Sequence, residues 1–173
     1  MTNIQFQFDK TKAIETFIYI AKRIDHPDYG DVLKLAYLAD KTSLERYGRF
    51  IFGDAYSAME YGAVPSHLFD LVKDARANGG YDFKVVGYRV TSDRDAHIEW
   101  LSESDTECLD QIISIYAKVP SWKRIRDTHD EAYDAAWNKR GRRRSVPMPV
   151  ESIARMFENS SELIEYLING NSI

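Results

Sequence analysis

The segment from residue 35 to residue 65 reads LAYLADKTSLERYGRFIFGDAYSAMEYGAVP and decides the fold of this chain. No glycine or proline interrupts residues 32–47, and good helix formers predominate there. Apolar residues surround much of its first half, which is typical of a helix buried at the centre of a domain. Asp31 can cap the start, and Gly48 suits the left-handed position that follows many helices. The sequence therefore predicts a central helix that ends at Tyr47.

The residues after Gly48 predict a hairpin followed by a second helix. Two short apolar runs flank Gly53-Asp54, a dipeptide typical of tight turns. Pro65 suits the beginning of a helix because its fixed φ is compatible with the first turn. We expect this helix to run from Ser66 to Ala77 and to stop at the glycines that follow.

Asp40 is the unusual residue of the central helix. It falls in the middle of a row of apolar and aromatic residues spaced for one helix face: Leu33, Tyr37, Leu44 and Tyr47. A carboxylate in that position must be hydrogen-bonded, paired or open to a cleft, since burying it alone is costly. The more common case is a structural acid that accepts hydrogen bonds from a loop amide or a tyrosine hydroxyl. A role in a binding cleft is the alternative.

Patterns outside this segment predict further helices and two strands. Asp9 can cap a helix from Lys10 to Ile24. Aromatic and β-branched residues favour a strand at 81–90, which would pair with a second strand at 97–101. A capping box at 104–107 begins the next helix. Four more helices are predicted, beginning near Ser121, Asp130, Glu151 and Ser161. The fold class expected is mainly α (α+β), a compact helical domain with a small antiparallel β-hairpin or sheet, and residues 1–173 are expected to form one domain.

The composition is that of an ordinary globular protein with an uneven charge distribution. The net charge is −4, which does not favour nucleic acid as a partner on its own. Residues 118–144, however, hold nine basic and four acidic side chains, so this segment could contact an acidic partner or a phosphate backbone, or simply be solvated. The single cysteine, Cys108, fits a reducing cytoplasm. No apolar run reaches 18 residues and no secretory signal is present, so we expect no membrane association.

No sequence motif indicates an enzyme, a cofactor or a metal site. The usual nucleophile, phosphate-binding, dinucleotide and zinc patterns are missing, and the four histidines belong to different predicted elements. His129 could hold a cation together with Asp130 and Asp134. The simpler interpretation is that Thr128 or His129 caps the helix that follows. We therefore predict no catalytic residues, no cofactor and no metal.

An ordered set of short motifs resembles the Panacea domain, the SocA-like antitoxin family of bacteria and phages. The central helix contains K-L-x-Y-L-A-D at 34–40, followed by Y-G at 47–48, G-D at 53–54, Y-G-x-V-P-S at 61–66 and T-H at 128–129. The resemblance covers roughly residues 10–168. One departure is Ala63, at a step where the family often has a proline.

The resemblance implies an antitoxin that binds a cognate protein toxin directly and masks its active site. Such an interface would use aromatic anchors and charged groups. The candidate partner-binding residues are Asp40, Tyr61, His129, Trp137, Arg140, Arg142, Arg143 and Arg144.

Besides a nucleic-acid binder that uses residues 118–144, for which no helix-turn-helix signature stands out, two other functions remain open at this stage. The first is a proteolytic adaptor that delivers its partner to an AAA+ protease, with the C-terminal helices or the tail as the handle. The second is a small-ligand-binding or enzymatic domain in which Asp40 and His129 converge in a cleft. It requires those two side chains to share one cavity.

Overall fold

The computed structural model describes residues 3–170 and has a mainly helical architecture. The helices in these residues are α1 (Lys10–Ala21), α2 (Tyr29–Tyr47), α3 (Ser66–Asn78), α4 (Glu103–Tyr116), α5 (Ser121–Asp127), α6 (Glu131–Trp137), α7 (Val150–Ala154) and α8 (Ser160–Gly170), with a 3-10 turn at Ile98–Trp100. The strands are β1 (Tyr56–Met59), β2 (Gly62–Pro65), β3 (Lys84–Val86), β4 (Arg89–Thr91) and β5 (Ser145–Met148). The predicted fold class, mainly α with a small antiparallel sheet, is confirmed.

Helix α2 lies at the centre of the fold and packs against α1, α4, α5 and β2. Residues 31–40 of this helix are all buried, so its first half is covered on several sides at once. The helix ends where predicted, with Gly48 in the left-handed conformation at φ 65°. It begins three residues earlier than predicted, because Asp28 rather than Asp31 caps it by accepting a hydrogen bond from the Gly30 amide.

The first hairpin is present but its predicted position is wrong. The β1 and β2 strands turn at residues 60–61, with Tyr56 opposite Pro65, and not at Gly53-Asp54. The segment before β1 has other partners: the Ile51 amide donates to Asp40, and the Phe52 carbonyl accepts from the Asp9 amide. Strand β5, which was not predicted, pairs with the free edge of β1 to give the order β2-β1-β5.

The second predicted strand pair is also wrong in detail. The stretch 81–90 does not form one strand, because Gly87 at φ 64° allows the chain to reverse between β3 and β4. The stretch 97–101 forms a 3-10 turn instead of a strand. Its first amide, that of His97, donates to the buried Glu15 carboxylate rather than to a neighbouring strand.

The predicted helix caps need two further corrections. Ser102 and Asp105 form the capping box of α4, two residues before the predicted one. Asp130 caps α6, so neither Thr128 nor His129 does. Helix α1 ends at Ala21, three residues earlier than predicted.

The buried residues form one hydrophobic cluster to which helices from both ends of the chain contribute. Phe17 of α1, Leu163 of α8 and eight residues of α2 belong to it. Across residues 3–170, no helix has the length and apolar character needed to cross a membrane.

Candidate partner-binding site

Asp40 is completely buried and holds α2 against the segment that follows it. Its Oδ1 accepts a hydrogen bond from the Ile51 amide at 2.6 Å, and its Oδ2 accepts one from the Tyr56 hydroxyl at 2.6 Å. Burial raises the pKa of Asp40 to about 7, although the hydrogen bonds from Tyr56 and Ile51 oppose this shift. The side chain is therefore the structural acid that the sequence allowed, and its position argues against a direct contact with a partner.

Asp130 joins α2 to α6 and uses both of its carboxylate oxygens. Oδ2 accepts hydrogen bonds from the Tyr37 hydroxyl and from Lys41 Nζ, each at 2.8 Å. Oδ1 accepts from the Tyr133 amide at 2.9 Å and so caps α6. Within the described part of the chain, no group of three His, Cys, Asp or Glu side chains is placed to hold a metal ion, so the suggested cation site at His129 has no support.

A row of stacked rings runs along α6 toward the turn between β1 and β2. The His129 and Tyr133 rings stack at 4.3 Å, and those of Tyr133 and Trp137 stack at 6.1 Å. The Arg140 guanidinium lies over the Trp137 ring at 4.4 Å. The four-residue spacing puts these side chains on one helix face. Because the Tyr133 hydroxyl donates to the Met59 carbonyl at 2.6 Å, the row is fixed beside the hairpin turn.

The end of this row forms one wall of a large groove, which we call the basic groove. It has a volume of about 950 Å³, and its lining residues come from the start of α2, the β1–β2 turn, α3, α5, the end of α6 and the loop after it. Five candidate residues line it: Tyr61, Trp137, Arg140, Arg143 and Arg144. The other three, Asp40, His129 and Arg142, are not among its lining residues.

Aromatic residues that sequence reasoning missed form the opposite wall of the basic groove. Tyr29 stacks on Phe69 at 6.2 Å and on Tyr88 at 5.7 Å, both nearly parallel. These rings come from α2, α3 and the β3–β4 turn, which are far apart in sequence. No local pattern could have grouped them, since their proximity depends on how the elements pack.

Lys34, also missed as a site residue, is another residue that lines the basic groove. Its side chain is only 8% exposed, and its ammonium donates a hydrogen bond to the Gly30 carbonyl at 3.1 Å. Burial lowers the pKa of Lys34, while the nearby carboxylates of Asp31 and Asp28 oppose that shift. The sequence signals for it were a lysine in a largely apolar half of α2 and its place at the start of the K-L-x-Y-L-A-D motif.

The comparison with protein families identifies the chain. The family model of the antitoxin SocA-like Panacea domain matches residues 32–138, a range that includes most of α2, both hairpins and α6. Neither the curated proteins nor the solved structures gave a match. Because the family match spans more than half of the chain, this protein belongs to the SocA-like antitoxin family that carries the Panacea domain.

Proposed function

We propose that this protein acts in the cytoplasm as an antitoxin that neutralises a cognate protein toxin by binding it directly, and that the basic groove is the contact surface. The observation that carries this proposal is the convergence of Tyr61, Trp137 and three arginines on one groove. Aromatic residues and arginine dominate the energetics of protein interfaces. The family match supports a toxin as the partner in general.

The geometry of the groove suits a protein partner. Tyr61 is 64% exposed at the tip of the β1–β2 turn, so it can enter a pocket on the toxin without any rearrangement of the backbone. Trp137 is held between Tyr133 and Arg140 and offers a fixed apolar face. A neutralising interface of ordinary size would bury about 1,600 Å² in total. The aromatic groups would form its centre, and the arginines would form its rim.

Co-expression with the product of the neighbouring gene tests this proposal. A stable complex, together with rescue of the growth arrest that the neighbour causes, is the expected result. Tyr61→Ala should weaken the complex at least tenfold. Tyr166→Ala is the matched control, because Tyr166 is 63% exposed on α8 and does not line the groove. Absence of any complex would contradict direct neutralisation, and equal effects of the two variants would contradict the choice of surface.

A non-catalytic role is part of the proposal. It is supported by the antitoxin family and by the burial of Asp40, which removes the geometric basis for a cleft shared by Asp40 and His129. A purified complex in which the toxin stays chemically unmodified would agree with this role. Covalent change of the toxin, detected by intact-mass measurement, would contradict it.

Delivery of the toxin to an AAA+ protease is a second candidate function. Helix α8 favours it, because this helix lies near the C-terminus and exposes Tyr166 beside the acidic residues Glu162 and Glu165. The half-life of the toxin in cells separates the two functions. A shorter half-life in the presence of this protein supports delivery, whereas an unchanged or longer half-life supports masking alone.

A further inference from the structure

We infer that the basic groove receives an acidic segment of the toxin, with one carboxylate seated against Lys34 and others against Arg143 and Arg144. This inference rests on the proposed function and specifies the chemistry of the segment that the groove recognises. It also adds Lys34 to the contact residues.

The cations of the groove differ from the basic residues around them in how they are paired. Nearby basic residues form ion pairs with aspartates: Lys41 with Asp130, Lys123 with Asp127, Arg124 with Asp31, and Arg126 with Asp127. Among the described residues, no acidic side chain forms a salt bridge with Lys34, Arg140, Arg143 or Arg144. Arg140 and Arg143 donate instead to backbone carbonyls at the end of α6. No paired carboxylate therefore neutralises the arginines of the groove, and Lys34 is attracted by Asp31 and Asp28 without forming a salt bridge to either.

The acidic residues that line the groove are mostly engaged already. Asp28 accepts a hydrogen bond from the Gly30 amide at 2.7 Å, at the positive end of α2. Asp31 pairs with Arg124 at 3.0 Å and accepts from the Ser121 hydroxyl at 2.8 Å. Glu60 is the remaining acid of the lining, and it is exposed at the hairpin turn. The groove thus offers an anion more attraction than repulsion.

The position of Lys34 indicates an anionic group such as a carboxylate. An ammonium group has three donors, and the structure gives this one a single hydrogen-bond acceptor, the Gly30 carbonyl. Taking a charged group out of water without a full set of partners is costly. A carboxylate in the groove would supply a charge-assisted hydrogen bond where screening by solvent is weak.

The shape of the groove and the overall charge favour a protein segment over a small ion. Its volume exceeds that of a simple ion many times, and its aromatic wall of Tyr29, Phe69 and Tyr88 gives apolar side chains a surface to cover. The net charge of the chain is −4, so an acidic partner is repelled elsewhere and attracted here. This arrangement selects the orientation in which the toxin docks.

Affinity measurements on the purified complex test the inference. The variants are Lys34→Met and Arg143→Gln, and Lys139→Gln is the matched control, because Lys139 is an exposed basic residue of the same segment outside the groove lining. Lys34→Met keeps an unbranched side chain and removes a buried charge, so it should fold; circular dichroism and thermal unfolding check this. We expect each groove variant to raise the Kd for the toxin at least tenfold, and the control to leave it unchanged. The salt dependence of the Kd should become shallower in both groove variants.

A photo-crosslinking residue in place of Tyr88 identifies the segment that enters the groove. Capture of a toxin peptide rich in Asp and Glu supports the inference, and capture of a basic or neutral peptide overturns it. A complex that forms with the same affinity in both groove variants overturns it too, while the proposed function survives. Inorganic pyrophosphate and ATP serve as further probes. If the groove variants lose binding of these compounds and keep toxin binding, the site is for phosphate and the inference fails.

Discussion

At the scale of single residues, Asp40 links the stability of the fold to pH. Its pKa is raised from 3.8 to about 7 because burial disfavours the charged form. Between these two values the folded protein holds a proton that the unfolded chain has released. The contribution of Asp40 to the free energy of unfolding is therefore fully present below about pH 4 and is lost as the pH rises through about 7.

The first prediction is that Asp40→Asn removes this pH dependence. The amide can accept the hydrogen bond from Ile51 and does not titrate. The stability of the wild type relative to this variant should fall by about 4 kcal/mol between pH 4 and pH 8, in denaturant unfolding at each pH. Asp70→Asn changes an exposed carboxylate and serves as the control. Parallel pH profiles for wild type and Asp40→Asn would show that Asp40 is ionised throughout.

Gly62 brings two segments that are distant in the sequence into contact. Its φ of 123° is strained for any other residue, and a Cβ there would lie 2.3 Å from Thr128 Oγ1. Thr128 is buried and donates its hydroxyl to the Ile125 carbonyl at 2.8 Å, so it has little freedom to move. The glycine of the Y-G motif and the threonine of the T-H motif are thus in direct contact.

The second prediction follows from this contact. Gly62→Ala should lower the free energy of unfolding by roughly 2 kcal/mol or more, since it adds both backbone strain and overlap with Thr128. Gly141→Ala is the control, because Gly141 also has a positive φ, but a Cβ added to it would meet no other atom within 4 Å. It should cost about 1 kcal/mol. If urea unfolding shows the same loss in free energy of unfolding for Gly62→Ala and Gly141→Ala, the overlap with Thr128 is relieved at no cost.

At the scale of elements, α3 is capped from outside its own sequence. Its N-cap residue is Pro65, which makes no side-chain hydrogen bond. Asp54 supplies the cap instead: Oδ1 accepts from the His67 amide at 3.0 Å, and Oδ2 accepts from the Leu68 amide at 2.8 Å. Oδ1 also accepts from the Ala55 amide at 2.7 Å. The aspartate of the G-D motif therefore fixes both the loop and the helix.

The third prediction is that Asp54→Ala destabilises the fold more than an ordinary cap deletion does. Three amides lose a charged acceptor at a buried site, so we expect a loss on the order of 3 kcal/mol in thermal or denaturant unfolding. His67→Ala is the control, since it leaves the three amides capped and removes only ring contacts, those of Nδ1 with Asp54 at 2.8 Å and of the ring with Phe8 at 4.9 Å. It should cost less than half as much. If Asp54→Ala lowers the stability only slightly, water replaces the carboxylate as the acceptor for these amides.

Local signals predicted the helices well and the strands poorly. Helix α2 ends at Gly48, and α3 begins at Ser66, directly after Pro65. Each of these boundaries depends on the backbone preference of a single residue, which can be read directly from the sequence. The hairpin was misplaced because Gly53 is required for another reason: a Cβ there would lie 2.0 Å from the Gln7 carbonyl. That close approach is a tertiary contact, and nothing in the local pattern distinguishes it from a turn.

The site was predicted in part for the same reason. Trp137 and the arginines after it stand out as an aromatic and basic segment, and the structure places most of them on one groove. Tyr29 and Tyr88 have unremarkable neighbours in the sequence, and the motif that begins at Lys34 does not indicate a groove. They become site residues only because α2 and the β3–β4 turn pack together. A hydrogen bond from the Tyr29 amide to the Tyr88 carbonyl joins these two elements.

At the scale of the whole molecule, the hydrophobic core extends beyond the part that the family model matches. The match begins at residue 32 and ends at 138, yet α1 and α8 lie outside it and contribute buried residues. Phe17 of α1 is completely buried and packs on Phe83 at 4.7 Å. Leu163 of α8 is 6% exposed. Both ends of the chain therefore share one core with the matched segment.

The last prediction concerns the proposal that residues 1–173 form one domain. If they do, Phe17→Ala and Leu163→Ala should each shift the same single unfolding transition, by about 3–5 and 2–5 kcal/mol respectively, although the two sites lie outside the family match. Trp100→Ala, at an exposed position, should leave the transition within about 0.5 kcal/mol of wild type. Calorimetry and tryptophan fluorescence should report the same midpoint. A second transition, or a variant that shifts only one probe, would mean that α1 or α8 unfolds separately and that the matched segment is stable without it.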